Sequence, residues 1–226
     1  MIERLRLVVL GLIAGVFAAS ALAQPATAPA ALARAVAETQ ARKAEYAFDY
    51  ALDTSKQNWR ARYEPSGARP HLHLIEPTRE SLPQAQQRAF DRMAERMSGL
   101  SWCASANMGH ARDVRLVRED ADLATYAFQP SRESGGQAGR FADRLRGEFT
   151  LIKAGPDIGA IHIFAPQAFS PIPLTRLDQL DISIRCEPAP NGRRYAAETV
   201  SLLRGSAFGQ DFNERSVQRA ANVRAP

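Results

Sequence analysis

The sequence predicts an α+β fold, a curved antiparallel β-sheet of about nine strands packed by one main helix and a few short helices. Two observations carry the sheet. Tyr46, Phe48, Tyr50 and Leu52 alternate with Ala47, Asp49, Ala51 and Asp53, giving one largely aromatic and one polar face. Leu180, Ile182, Ile184 and Cys186 alternate in the same way with Asp181, Ser183 and Arg185. Period-two patterning of this kind marks strands buried on one side only. The third observation is that helical spacing is clearest in one stretch, residues 81–98.

The elements follow in order. Ala31–Lys43 is rich in helix formers and carries a weak apolar stripe, a candidate short helix. After the 46–52 strand, Trp59, Ala61 and Tyr63 alternate with Arg60 and Arg62, and Leu72 and Leu74 with His71 and His73, so three strands form a meander. In 81–98, Ser81 is a candidate cap, Leu82, Phe90, Met93 and Met97 share one side, and Gly99 is a stop signal. Val114–Arg118 and Leu123–Phe128 pair around the acidic turn Glu119–Asp122. A polar loop, Ser131–Gly139, leads to a helical candidate at Arg140–Arg146. Glu148–Lys153 and Ile158–Ala165 form a hairpin, and the prolines of Pro166–Pro173 exclude regular structure there. Leu180–Cys186 and Tyr195–Leu203 flank the tight-turn pair Asn191-Gly192, and a last short helix is expected over Asn213–Ala221.

The N-terminus reads as an export address. Arg4 and Arg6 precede an unbroken apolar run from Leu7 to Ala19, and Ala21 and Ala23 are small residues at the positions a signal peptidase reads. The run is shorter than the ~20 residues a membrane span needs, so residues 1–23 are expected to be a signal peptide cleaved before Gln24. The predicted destination is the periplasm or the exterior, with no integral membrane segment left after cleavage. Residues 24–44 read as a Pro/Ala-rich spacer with the short helix, 45–222 as a single α+β domain, and 223–226 as a disordered tail.

Composition narrows the partners. The formal net charge is +5, yet arginines and acids are interspersed without a basic stripe, so no nucleic-acid partner is expected. The two cysteines, Cys103 and Cys186, are an even pair in a chain expected to be exported, which points to one intramolecular disulfide. Closing a loop of about 80 residues stabilises a fold by roughly 4–5 kcal/mol in the chain-entropy picture.

Chemical motifs are sparse. The chain lacks Gly-x-Ser-x-Gly, His-Glu-x-x-His, a phosphate-binding loop and a dinucleotide fingerprint, so neither catalytic residues nor a cofactor are assigned. Gly205-Ser206-Ala207-Phe208-Gly209 has the wrong serine spacing for a nucleophile elbow and reads as a turn. His71 and His73 leave a strand on one face, but a metal site needs a third ligand, and only His110 and His162 remain; no metal site is assigned. Glu119–Asp122 lacks the glycine and terminal glutamate of a calcium loop.

What stands out is the aromatic set Tyr46, Phe48, Tyr50, Trp59 and Tyr63. These rings either form a core under the 81–98 helix or line a cavity for an apolar ligand. The functional expectation is therefore an exported periplasmic protein with a non-catalytic structural or binding role in the cell envelope, its partner another envelope protein or a hydrophobic ligand. The spacer and the PQAFSPIP loop are candidate contact segments. Two alternatives stand beside it: a carrier or sensor of a lipid-like ligand held against the curved sheet, and a hydrolase whose site is assembled from scattered residues.

Overall fold

Alternating residues that are apolar on one side only must pair edge to edge and be covered on one face, and the computed structural model shows one sheet built this way. It describes residues 29–42, 44–132 and 139–225. The expected signal peptide and the Gln24–Ala28 part of the spacer lie outside the described residues.

Three strands, β1 (Ala47–Thr54), β2 (Asn58–Tyr63) and β3 (Leu72–Glu76), make the expected meander. Seven more run from the opposite edge: β4 (Arg112–Glu119), β5 (Leu123–Gln129), β6 (Arg146–Ile152), β7 (Asp157–Phe164), β8 (Thr175–Pro188), β9 (Arg194–Ala207) and β10 (Gln210–Arg224). All ten form a single antiparallel sheet in the order β3-β2-β1-β10-β9-β8-β7-β6-β5-β4, not closed into a barrel. Because β10 pairs with β1, the chain between β3 and β4, residues 77–111, must travel from one edge of the sheet to the other. It holds α2 (Gln84–Arg96), the Trp102-Cys103 pair and the one-turn α3 (Ala106–Gly109).

The tenth strand corrects the sequence reading. Asn213–Ala221 is not a helix but the middle of β10, despite a composition that suits helices. Every residue from Gln210 to Arg219 pairs with β9, and the stretch from Ser216 onward pairs with β1 as well. A central strand satisfies its backbone on both sides, which outweighs the few tenths of a kcal/mol per residue that propensity offers. Val223 and Arg224 belong to this strand and not to a tail.

The helical candidate at Arg140–Arg146 is also overturned, apart from a 3-10 turn at Ala142–Arg144. Arg146 already begins β6, where Gly147 pairs with Phe128 and leaves room for its ring; a Cβ at Gly147 would stand 2.3 Å from it. Ser81 does not cap α2. Pro83 occupies that position, and the Ser81 hydroxyl donates to Thr78 O.

The expected short helix is α1 (Ala30–Ala41), and it is part of the core. Leu32, Ala35 and Thr39 are buried, and the helix lies against α3 and β7 with Met108, Phe149, Leu151 and Ile158. Its far end is held by Arg193, only 5% exposed, which reaches Glu38 at 2.8 Å and Asp157 at 2.9 Å and donates to Thr39 Oγ1 and Pro156 O. Asp157 also accepts the backbone N–H groups of Ile158 and Arg194. Arg193 sits just after the Asn191-Gly192 turn, where Gly192 has φ +79°. One guanidinium thus joins α1, the β6–β7 hairpin and the β8–β9 turn.

The disulfide is formed. Cys103, on the crossing segment, is bonded to Cys186 of β8, 83 residues away. Around it, Cys103 N–H donates to Arg194 O and Ala196 N–H to Ser101 O, so the segment is stitched to β9.

Two stability predictions follow from these anchors. Arg193→Leu leaves Asp157 buried without its cation and should cost about 3–5 kcal/mol in urea unfolding, with Arg193→Leu/Asp157→Asn recovering part of the loss. Burial already pushes the Asp157 carboxyl above its ordinary value of 3.8. A raised acid is easier to fold protonated, so the deficit should be smallest in acid and grow as pH rises above that value. Replacing both cysteines by serine should lower stability by about 4 kcal/mol.

Candidate functional site

The aromatic face of β1 and β2 is filled. Phe48, Tyr50, Trp59 and Tyr63 are buried with Phe90 and Ala94 of α2. Phe48 stacks on Tyr63 at 4.9 Å, and Trp59 meets Phe90 edge-on at 5.4 Å. Met93 and Met97 close the margins, and Gly99, at φ +116°, turns the chain away beside the Tyr63 hydroxyl. Burial pushes the Tyr50 phenol up to about 12. Tyr46 stands apart, with Trp102, Tyr195, Ala189 and Ala197 in a small cluster between the two halves of the sheet.

An apolar cavity of about 290 Å³ lies instead over β7, β8 and β9. Its floor follows from strand parity. Ile161 pairs with Ile184 and Ile163 with Ile182, so four β-branched side chains rise from one patch, extended by Leu180 and Ala196. The walls are Trp102, Cys103 and Met108 from the crossing segment and Phe128, Phe141 and Leu145 from the β5–β6 side. Leu180, Ile182 and Ile184 are only half-buried, whereas Phe149, Leu151 and Ile158, beside α1 and α3, are buried. The cover formed by α1 and α3 ends before it reaches the middle of β8.

Four polar residues share the lining: Ser101, Ser105, Asn107 and Ser131. Among the described residues the lining has no Asp, Glu, His, Lys or Arg. Such a site can desolvate hydrocarbon and offer a few hydrogen bonds to a polar end, the usual composition of a small-molecule pocket. An apolar cavity of about 150 Å³ takes a benzene-sized guest, so this one has room for on the order of a dozen carbon atoms.

A His–Asp pair lies on the opposite face of β7 and β8. His162 Nε2 lies 2.8 Å from Asp181 Oδ2, and Ser183 sits across from His162 in register. Among the described residues no hydrogen bond joins Ser183 to His162, the contact a serine nucleophile and its base would need. His71 and His73 are at the β3 edge, where the His71 ring lies against Tyr63. Among the described residues no three His, Cys, Asp or Glu are grouped to hold a metal ion. The acidic turn is a hairpin tip: Asp120 accepts the N–H groups of Asp122 and Leu123, and Lys153 reaches Glu119 at 2.8 Å.

The sequence named the ingredients of the cavity floor but not the cavity. Leu180, Ile182 and Ile184 read as core, and the open choice between core and pocket was placed on the aromatic strands. The one signal for the cavity was that the apolar face of β8 had no second long helix to cover it. Comparison with protein-family models, with curated proteins and with solved structures found no match.

Proposed function

We propose that this chain is an exported, non-catalytic binding protein of the cell envelope that holds a single apolar chain or ring system in the cavity over β7–β9. The observation that carries the reading is the patch of Ile161, Ile163, Ile182 and Ile184, apolar, only partly covered, and walled by Trp102 and Phe128. Leaving such surface against water is unfavourable by roughly 25 cal/mol per Å², so a hydrocarbon guest that displaces the water gains that free energy. Ser101, Ser105 and Asn107 in the lining suit a ligand with one polar end.

Export is supported by the leader pattern of residues 1–23 and by the Cys103–Cys186 bond, which is characteristic of oxidising compartments. The bond joins a cavity wall to the strand that forms the floor, so it holds the pocket's shape without asking the ligand to do so.

Two measurements test the reading. Lipid mass spectrometry of protein purified gently from its native host should show a co-purifying apolar molecule, and Ile182→Trp, which fills the cavity, should weaken binding of a fluorescent fatty acid at least tenfold while leaving the unfolding midpoint nearly unchanged. Protein that carries nothing, together with probe binding indifferent to Ile182→Trp, refutes the cavity as a binding site. For export, N-terminal sequencing of the periplasmic fraction should begin at Gln24, and thiols should label only after reduction. A chain recovered from the cytoplasm with its initiator methionine overturns this part of the proposal.

A further inference from the structure

The strands β8, β9 and β10 are the longest in the sheet, with 14, 14 and 15 residues, and they carry an exposed apolar tip. Phe208 is 74% exposed, Leu174 73% and Ile172 56%, the three most exposed large hydrophobic residues described. They come from two separate segments, the Pro166–Thr175 loop and the β9–β10 turn, joined where Phe208 N–H donates to Leu174 O. The turn is the two-residue link Phe208-Gly209, with φ +51° and +78°. Asn, Asp or Gly ordinarily occupy its first position, because a side chain in left-handed backbone is unfavourable. Leu174, at φ +60°, is a second large residue held in that region.

Charge is arranged just as sharply. Charged residues make up 23% of the chain, yet none occurs from Pro166 to Thr175 or from Ala207 to Gln210. Charge resumes in the next row of the sheet, where Arg176 and Asp211 both pair with Ser206, and continues behind it with Asp178 and Arg204. An uncharged apolar end backed by a mixed-charge collar matches the gradient from the acyl boundary to the headgroups of a bilayer. Both segments that reach the tip are free of charge of either sign, as insertion below the headgroups requires. The loop that carries Ile172 and Leu174 also reaches the cavity's border, since its Phe169 lies 5.7 Å from Phe141, a cavity wall.

We propose that the Ile172–Leu174 and Phe208-Gly209 tip dips into the interfacial zone of a phospholipid bilayer, and that the cavity's apolar ligand is exchanged with the membrane there. The exchange rests on the cavity being a binding site; the insertion does not. Contact is carried by apolar burial and not by charge, so it should persist at high salt.

The test is flotation with vesicles of phosphatidylethanolamine and phosphatidylglycerol, using the oxidised mature chain. The wild-type protein should float in low and high salt, and Leu174→Ser/Phe208→Ser should lose at least tenfold in partitioning with an unchanged circular dichroism spectrum. In Phe208→Trp, emission from the added indole should shift to the blue and be quenched by brominated acyl chains. Wild-type protein that stays unbound, or a double-serine variant that floats equally well, overturns the insertion, as does a wild-type dimer abolished by the same substitutions without any flotation. Exchange is read separately, with a fluorescent fatty acid. Uptake from vesicles should slow at least tenfold in the double-serine variant while uptake from lipid-free buffer stays unchanged. Equal slowing from both sources overturns tip-mediated exchange. Flotation without uptake from buffer refutes the cavity reading and leaves the insertion standing.

Discussion

A single sheet has two faces, and this chain has little with which to cover one of them. The pairing of β10 with β1 places β3 and β4 at opposite edges, so residues 77–111 must cross the whole inner face. Among the described residues, that crossing, α1 and the β5–β6 connection around Phe141–Leu145 are what close over the ten strands. Where α2 lies, the aromatic rings of β1 and β2 are buried; where α1 and α3 lie, Phe149, Leu151 and Ile158 are buried. The cavity is the interval between these covers. Its existence is thus a consequence of strand order, while its apolar character comes from the alternation of β7 and β8.

The other face explains the arginine-rich composition. Arg62 pairs with Asp49, Arg60 with Asp53, and Arg219 with both Asp53 and Glu198, forming rungs across β2, β1, β10 and β9. Exposed pairs of this kind contribute little each, about 0–1 kcal/mol. Their larger effect is on register, because a slip of one residue would turn the arginines of β2 toward Phe48 and Tyr50 and place Trp59 and Tyr63 in water. The arginines of this face that make these rungs are matched by acids on the same or neighbouring strands.

Legibility followed the range of the interaction responsible. The 46–52 and 180–186 strands were clear because alternation is written in adjacent residues, and α2 because Phe90, Met93 and Met97 recur at helical spacing. β10 was not clear: Glu, Arg, Gln and Ala at 214–221 favour a helix locally, and only the ladders to Thr199–Leu203 and to Tyr50–Thr54 make the segment a strand. The role of α1 was hidden for the same reason, since Leu32 and Ala35 find their partners more than a hundred residues away, at Phe149 and Ile158. Cysteine parity could be read because Cys186 shares a face with Ile184, although a bulge falls between Arg185 and Cys186. The aromatic strands were left open between core and pocket because sequence spacing does not say how far a helix reaches.

The placement of the disulfide connects these points. Near α2 the crossing segment is held by aromatic packing, and near α3 by contact with α1. Between them, at Ser101–Cys103, it passes along the border of the cavity, with Trp102 and Cys103 buried in the apolar clusters on either side. There it is fixed by means that do not depend on filling the space beneath: backbone hydrogen bonds to Arg194 and Ala196, the Trp102–Tyr46 edge contact, and the covalent bond to Cys186. Packing alone would favour collapse of the cover onto the isoleucines, since interiors tolerate few voids larger than a water molecule. A covalent and hydrogen-bonded rim lets the rest of the cover stay where it is with the floor below it only half-buried. The rigid rim and the open floor are therefore parts of one arrangement, and the sequence encodes it with two cysteines 83 residues apart.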